Sequence, residues 1–344
     1  MENNKGDKAV KTVYIAGILL LVLCVYYFFL KDRADLVTID FFAKAARHFA
    51  DNSIKYLIFA GPAAVLIILV LVMKTKLLKR LLPVFLACCA VVFAVTAIDA
   101  VRLHKREAGI NGMRNTFLQE RYIIHAGGRI TGEDGQAYDY TNSVEALENS
   151  CRNGKSRLCE LDFRRTADDM IVCSHDKADS GLSLAEIMDK KSEGLFTPIT
   201  LESLAEIMRK YPDIIIITDI KEDRIEICRR IRDNAPELID RFVIQIQHEE
   251  DYEPVRELGF DYILYTLYNT EDWERTPGAL KRMICRYDVV NLTFWDSWAD
   301  DPAFMEPVSA LGVPVFLHTV NDEETAGHYT GLGADGFYTD VLGL

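Results

Sequence analysis

Two carboxylates and one imidazole are spaced so that they could meet on a single face of a β-hairpin. The stretch Leu158–Asp176 predicts a strand, a tight turn and a second strand, since apolar segments flank a short polar turn. A turn centred between residues 167 and 168 would place Glu160 opposite His175, and Asp162 would share the face of Glu160. Such a group suits a divalent cation beside a proton-transfer group. The alternative is a strand face whose charges point into solvent.

Two further apolar segments end in residues that could join this site. Tyr122–Gly128, YIIHAGG, places His125 at a strand end, and the glycines would let a phosphate approach backbone N–H groups. Ile214–Lys221, IIIITDIK, places Asp219 and Lys221 on one face at the end of a buried strand. The alternatives are a core histidine at a turn and a simple ion pair between the acid and the lysine.

Taken in chain order, these motifs resemble the glycerophosphodiester phosphodiesterase family, which is built on a phospholipase-C-like TIM barrel. The family reads His-Arg-Gly, Glu-x-Asp, His-Asp, Glu-x-Lys, Trp-Thr-Val-Asn and Asp-Gly-x-x-Thr-Asp. This chain reads HAG at 125–127, ELD at 160–162, HD at 175–176, DIK at 219–221, HTVN at 318–321 and DGFYTD at 335–340. The resemblance covers the chain from about residue 121 to its C-terminus, and the motifs are specific in combination.

The resemblance implies a role for each of six residues. Glu160, Asp162 and Asp219 would bind the metal ion, His125 and His175 would form the acid–base pair, and Lys221 would contact the phosphate. Carboxylates are hard oxygen ligands, so calcium or magnesium is favoured over zinc. Two histidines can act as general acid and base because the imidazole pKa lies near neutral pH.

Several positions depart from the family pattern. Ala126 stands where the family has an arginine that contacts the substrate phosphate, and Asp219 replaces a glutamate. Residues 141–143 read TNS where the family has Glu-Asn-Thr, and His318 stands where it usually has tryptophan. These departures leave the chemistry intact and the substrate open.

Polar residues near these motifs have plausible structural roles. Asn142-x-x-Glu145 opens a helical pattern as a capping box does, so the sequence predicts Asn142 as a helix cap and not as a site residue. Gln245 and Gln247 share one face of a later strand. They could line a pocket for a polyol or fill the interior of a barrel.

From residue 121 onward, eight apolar segments alternate with helical patterns, which predicts an α/β fold. The predicted strands are 122–126, 158–163, 214–219, 242–247, 262–267, 289–294, 314–319 and 336–339. The predicted helices are 143–152, 201–210, 223–234, 250–258, 277–286, 303–311 and 322–330. Strand count and the resemblance favour a TIM-like (β/α)8 barrel domain at 115–344 over an open doubly wound sheet, with 170–174 as an extra strand.

Residues 1–110 predict a three-helix transmembrane region. Apolar segments at 12–30, 56–73 and 81–98 are each long enough to span a bilayer. A cleaved signal peptide is disfavoured because further spans follow the first one. Residues 101–120 are predicted to be a linker that is helical at most to residue 108 and broken at Gly109 and Gly112.

Charge distribution predicts topology and partners. Residues 1–114 hold 16 Lys+Arg against 8 Asp+Glu, whereas residues 115–344 hold 23 against 44. The acidic part is a poor binder of nucleic acid, and the expected partners are a lipid bilayer and a phosphodiester substrate. The basic loop at 74–80 predicts a cytoplasmic N-terminus and an extracytoplasmic barrel in the cell membrane. Five basic residues in the loop at 31–55 keep the opposite orientation open.

The sequence therefore predicts a membrane-anchored, metal-dependent phosphodiesterase. By resemblance, it would hydrolyse glycerophosphodiesters or related lipid or polyol phosphodiesters, releasing glycerol 3-phosphate. The nucleophile could also be a hydroxyl of the substrate, which would give a cyclic phosphate in a lyase-type reaction. The non-enzyme alternative is a degenerate barrel that binds a headgroup, which the missing arginine at position 126 would favour. Retention of both histidines argues against that alternative, because a binder needs no acid–base pair.

Overall fold

Eight parallel strands close into a barrel in the computed structural model, which describes residues 105–344. The strands of this part of the chain are β1 (Tyr122–Ile124), β2 (Ile130–Thr131), β3 (Ala137–Tyr138), β4 (Leu158–Arg165), β5 (Ile171–Cys173), β6 (Ile215–Ile220), β7 (Phe242–Ile246), β8 (Tyr262–Thr266), β9 (Asn291–Trp295), β10 (Val315–His318) and β11 (Gly336–Thr339). The order is β1-β11-β10-β9-β8-β7-β6-β4, and β4 pairs with β1 to complete the ring. The predicted barrel is confirmed, and the open sheet is wrong.

Helices connect most of the barrel strands, as the alternating pattern predicts. Residues 105–120 are helical and are called α1. The others are α2 (Val144–Asn153), α3 (Leu184–Lys190), α4 (Leu201–Lys210), α5 (Arg224–Asn234), α6 (Tyr252–Glu257), α7 (Pro277–Arg286), α8 (Pro302–Ser309) and α9 (Glu323–Gly331). The sequence interpretation missed α3, although Ser183 and Glu186 form a capping box at its start.

Alternation of side chains along the strands creates two separate cores. One face of each strand packs against the outer helices, and the other face fills the barrel. The inner core includes Ile123, Leu158, Ile217, Val243, Leu264, Phe316 and Tyr338. An apolar interior at the level of these residues leaves the polar side chains of the strands to gather at their carboxyl ends, where barrel sites form.

Helix α1 closes the other end of the barrel. Its residues Ile110, Met113 and Phe117 are buried in the inner core, so their helical spacing presents one apolar face to the barrel. The predicted break at Gly109 and Gly112 is therefore wrong: burial of this face outweighs the unfavourable helix propensity of two glycines. At Gly109, a side chain would approach Tyr262 closely, so the helix packs tightly there.

The predicted spans at 12–30, 56–73 and 81–98 lie outside the described residues and stay predictions. Within 105–344, no helix has both the length and the hydrophobicity that crossing a bilayer requires.

Candidate active site

Three carboxylates meet at the carboxyl ends of two neighbouring barrel strands. Glu160 and Asp162 lie on β4, and Asp219 lies opposite Asp162 in the parallel register of β4 with β6. Each residue offers an oxygen, and these atoms lie within 4.8 Å of one another. The structure thus brings together the three acids that the sequence predicts as metal ligands.

The acid cluster is electrostatically unfavourable without added positive charge. Burial is the largest influence on Glu160 and raises its pKa well above the ordinary value, and the charges of Asp162 and Asp219 raise it further. Lys221 and the backbone N–H of Ala126, which donates to Glu160 Oε2 at 2.9 Å, act in the opposite direction. Three hard oxygen donors that repel one another fit a calcium or magnesium ion, which the acids would share as ligands.

Lys221 is the nearest cation to this cluster. Its Nζ lies 2.6 Å from Asp162 Oδ1 and 2.7 Å from Asp219 Oδ2. Burial alone would lower the pKa of Lys221, but the two carboxylates outweigh it and raise that pKa above its ordinary value. The ion pair between Asp219 and Lys221, considered above as an alternative to a site, is present but extends to Asp162. Lys221 is therefore a permanently charged group at the site.

His125 is buried and oriented by a carboxylate that sequence reasoning did not select. Its Nδ1 lies 2.8 Å from Asp340 Oδ1, and its Nε2 lies 3.9 Å from Glu160 Oε2. An ionised carboxylate only accepts, so Nδ1 carries the hydrogen and the lone pair of the neutral ring is on Nε2, toward the acid cluster. This arrangement suits a general base.

Asp340 is in turn fixed by Asn321. The Asn321 amide donates to Asp340 Oδ2 at 2.7 Å, and its oxygen accepts from the Asp340 backbone N–H at 2.8 Å. Burial alone would raise the pKa of Asp340, but the hydrogen bonds from His125 and Asn321, together with the charge of Arg129, act against burial and hold that pKa below the ordinary value. The signal for this residue was present in the sequence, because Asp340 closes the last motif of the family pattern.

Replacing Asp340 with asparagine should lower kcat by about 10²- to 10⁴-fold, because the histidine that acts as the base loses the partner that sets its tautomer. An amide can donate to Nδ1 and so stabilise the wrong imidazole tautomer. Steady-state kinetics should show a loss in kcat with KM nearly unchanged and a retained melting temperature. An equal loss from the exposed control Asp189→Asn, or an effect on KM alone, would exclude this positioning role.

His175 lies at the site, but the strand pairing that leads to it differs from the predicted register. In the antiparallel pairing of β4 with β5, Phe163 lies opposite Cys173 and Arg165 lies opposite Ile171. This register is shifted by one residue from the predicted one, so Glu160 does not face His175. The turn is centred on residue 168, because Thr166 N–H donates to Met170 O and Asp169 adopts a left-handed φ of 64°. His175 lies beyond the end of β5 and is exposed.

Tyr140 lies between the two histidines. Its ring centroid is 4.2 Å from that of His125 and 5.3 Å from that of His175, with edge-on contacts to both. Burial, together with the charges of Asp340 and Glu160, raises the pKa of Tyr140 to about 12. Tyr140 therefore stays a neutral phenol at physiological pH and separates the imidazoles without adding charge.

His318 takes the place of the family tryptophan in an aromatic wall. Its ring lies 4.6 Å from His125, 5.4 Å from Trp295 and 4.9 Å from Tyr338. Burial is the main reason that its pKa lies well below the ordinary value, and nearby His125, Lys221 and His175 act in the same direction. His318 is therefore a neutral ring whose shape, rather than charge, defines this wall.

The prediction that Asn142 caps a helix is wrong. Ser143 is the N-cap of α2 and accepts from Ala146 N–H, whereas the fully buried Asn142 faces the acid cluster. Its Nδ2 donates to Asp162 Oδ2 at 2.8 Å, and its Oδ1 accepts from the Asp162 backbone N–H at 3.0 Å. The Asn142 backbone has φ 47°, a conformation that asparagine tolerates well. Asn142 thus orients a candidate metal ligand.

Many of these groups line one cavity of about 510 Å³, which we call the central cavity; its lining includes His125, Asp162, His175, Asp219, Lys221 and Trp295. The buried Ala126 supplies no cation here, and Lys221 and Arg224 are the Lys/Arg side chains among the lining residues. Of the two predicted polar lining residues, Gln247 lies at this cavity, whereas Gln245 accepts from Tyr338 inside the barrel. The arrangement places acids, a lysine and the imidazoles of His125 and His175 around one space.

Solved structures with this fold include three bacterial proteins. A glycerophosphodiester phosphodiesterase from Parabacteroides distasonis matches with a TM-score of 0.50 and 19% identity, over 64% of this chain and 93% of that one. Proposed glycerophosphoryl diester phosphodiesterases from Silicibacter pomeroyi and Agrobacterium tumefaciens match with TM-scores of 0.50 and 0.51 and identities of 19% and 16%. They cover 64% of this chain and 90% and 93% of their own. No family model and no curated protein matches the chain. At these identities, the likeness establishes the barrel fold.

Proposed function

We propose that this protein is a metal-dependent phosphodiesterase that hydrolyses glycerophosphodiesters or related lipid or polyol phosphodiesters. The observation that carries the proposal is the clustering of Glu160, Asp162 and Asp219 at a cavity that Asp162 and Asp219 line together with the imidazoles of His125 and His175. Acids at this spacing suit a hard cation, and imidazoles suit proton transfer at neutral pH. The solved structures of the same barrel that are named for this activity agree with the proposal.

The chain's own groups can supply the remaining catalytic functions. A divalent cation held by the three acids would stabilise negative charge on the phosphate. Lys221 would contact a phosphate oxygen as a second positive charge. His125, with its lone pair on Nε2, would take a proton from the attacking water, and His175 would give one to the departing alcohol oxygen. The P–O bond to water forms as the P–O bond to the alcohol breaks, so the products are glycerol 3-phosphate and an alcohol.

A headgroup-binding barrel without activity is a weaker interpretation. Binding of a phosphate needs positive charge but no histidine held by a buried carboxylate, and the His125–Asp340 pair is buried and directed at the acid cluster. Maintaining a buried polar network of this kind is unfavourable unless all of its members are satisfied. An acid–base role accounts for the pair.

The direct test is product analysis with the full-length chain in detergent micelles. Incubation with glycerophosphoglycerol and magnesium or calcium should release glycerol 3-phosphate, detected by ³¹P NMR. Omission of the cation should prevent its release. A cyclic phosphate product would replace hydrolysis with the lyase-type reaction. Tight binding of the diester without any product would favour the headgroup-binding barrel.

We also propose that the protein is anchored in the cell membrane by the spans predicted within residues 1–110, with the barrel outside the cytoplasm. Support comes from the basic loop at 74–80 and the number of apolar segments. A reporter enzyme that works only outside the cytoplasm should be active when fused after Glu120. Activity there of a reporter that works only in the cytoplasm would instead assign the opposite orientation.

A further inference from the structure

A second cavity adjoins the central one, and His175 is the one residue of its lining that has a role in the chemistry above. It measures about 660 Å³, within the usual range for small-molecule sites, and we call it the side cavity. Its walls come from Tyr140, from the end of β5 at His175 and from the segment between α3 and α4. Tyr140 and His175 line both cavities, so the two spaces meet at these side chains.

The two histidines differ in their relation to these cavities. His125 is buried and lines only the central cavity, whereas the exposed His175 lines both. Displacement at phosphorus keeps the attacking and leaving oxygens roughly in line, so the two oxygens need proton-transfer groups in different places. An alcohol in the side cavity would meet His175, and the water on the other side of the phosphorus would meet His125.

The walls of the side cavity are held in place by internal bonds. Lys190 Nζ lies 2.7 Å from Asp179 Oδ1 and 3.2 Å from Asp176 Oδ2. Ser192 Oγ donates to Thr141 O at 2.6 Å, which ties the segment before α4 to the loop before α2. A cavity with bonded walls is formed before a ligand arrives, so less ordering opposes binding.

Most of the lining residues have polar side chains, and two of the charged ones lie free of ion pairs in the described part of the chain. Lys191 and Glu193 are exposed, and within residues 105–344 neither forms an ion pair. Polar and apolar atoms contribute similar shares of the lining surface, and Ile187 and Pro198 supply part of the apolar share. Such a surface can donate to and accept from several hydroxyls, and an acyl chain would leave its polar groups unpaired.

We propose that the side cavity is the subsite for the leaving alcohol and that this alcohol is hydroxylated, of the polyol class. This inference rests on the proposed function, since it names the arm of the diester that leaves. Attack by water forms the new P–O bond, the bond to the alcohol breaks, and the alcohol oxygen takes its proton from His175. Lys191 and Glu193 contact the hydroxyls of the alcohol and set specificity.

The test compares three glycerol phosphate diesters, whose second alcohols are glycerol, 1-pentanol and methanol. Glycerol and 1-pentanol have the same number of heavy atoms, so they differ in hydroxyls and not in size. With the full-length chain in detergent, kcat/KM for the glycerol ester should exceed that for the pentyl ester by about tenfold or more, the discrimination expected from contacts to charged groups. In the double variant Lys191→Ala, Glu193→Ala, the ratio of the glycerol to the methyl ester should fall by about tenfold.

Lys281→Ala is the matched control, because this exposed lysine on α7 lines neither cavity, and it should leave the ratio unchanged. A pentyl ester preferred by the wild-type chain, or a ratio that the double variant does not move, overturns the inference while leaving the proposed function in place. Absence of turnover with all three esters overturns both.

Discussion

Replacing His125 with alanine should lower kcat by about 10²- to 10⁴-fold, the usual contribution of a general acid or base. The buried ring is oriented by Asp340, and its Nε2 faces the acid cluster, so the variant removes the group that is placed to act as the base. His175→Ala should have a loss of the same order, measured with the glycerol ester in full-length protein. The double variant should lose about as much as either single variant, because a pair that acts as a unit is not additive.

The exposed His328 provides the control for this series. Its side chain lies on α9 beside Asp300, away from the central cavity, so His328→Ala should keep wild-type kcat. Near-normal turnover in His125→Ala or in His175→Ala would show that the wrong residue has been assigned.

Removing a carboxylate from the acid cluster should have a comparably large effect. Glu160→Gln should abolish detectable divalent-cation binding in calorimetry and lower turnover by several orders of magnitude, and Asp219→Asn should have a smaller effect on both. The difference arises because Glu160 is almost fully buried and also faces His125, whereas Asp219 is partly exposed. Three acids that repel one another gain stability when a cation binds, so saturating cation should raise the wild-type melting temperature and EDTA should reverse the rise.

Two further variants test whether these effects are specific to the predicted metal ligands. Asp219→Glu restores the glutamate of the family pattern and should keep activity with an altered preference between calcium and magnesium, because the added methylene moves the ligand oxygen. Asp189→Asn removes an exposed carboxylate on α3 and should leave cation affinity unchanged. Wild-type cation affinity in Glu160→Gln would exclude that residue as a ligand.

The barrel could be predicted from the sequence because its signals are local. Each strand is a short apolar run, and helical periodicity separates most of these runs, so strand count and order follow from the chain itself. The position of Asp219 opposite Asp162 also follows, since parallel neighbours bring their carboxyl ends to one face. The side chains at the strand ends were therefore the part of the site that the sequence could predict.

Features that depend on turn geometry or distant packing could not be predicted. A single left-handed residue, Asp169, recentres the hairpin turn and changes its register. Asn142 matches a capping pattern, but its contact with Asp162 exists only after α2 has packed beside β4. Helix α1 continues through two glycines because its apolar face packs against the interior of the barrel. Helix propensity depends on the local sequence and does not include this burial.

The central claim is that the acid cluster binds a divalent cation that turnover requires. Isothermal titration of magnesium and calcium into the full-length, EDTA-treated chain in detergent, followed by assay of the same samples, tests it most directly. One cation per chain should bind, turnover of the glycerol ester should rise with occupancy, and Glu160→Gln should show neither effect. Full turnover in the presence of EDTA, with no heat of cation binding, would contradict the account and leave a metal-free cleavage by two histidines in its place.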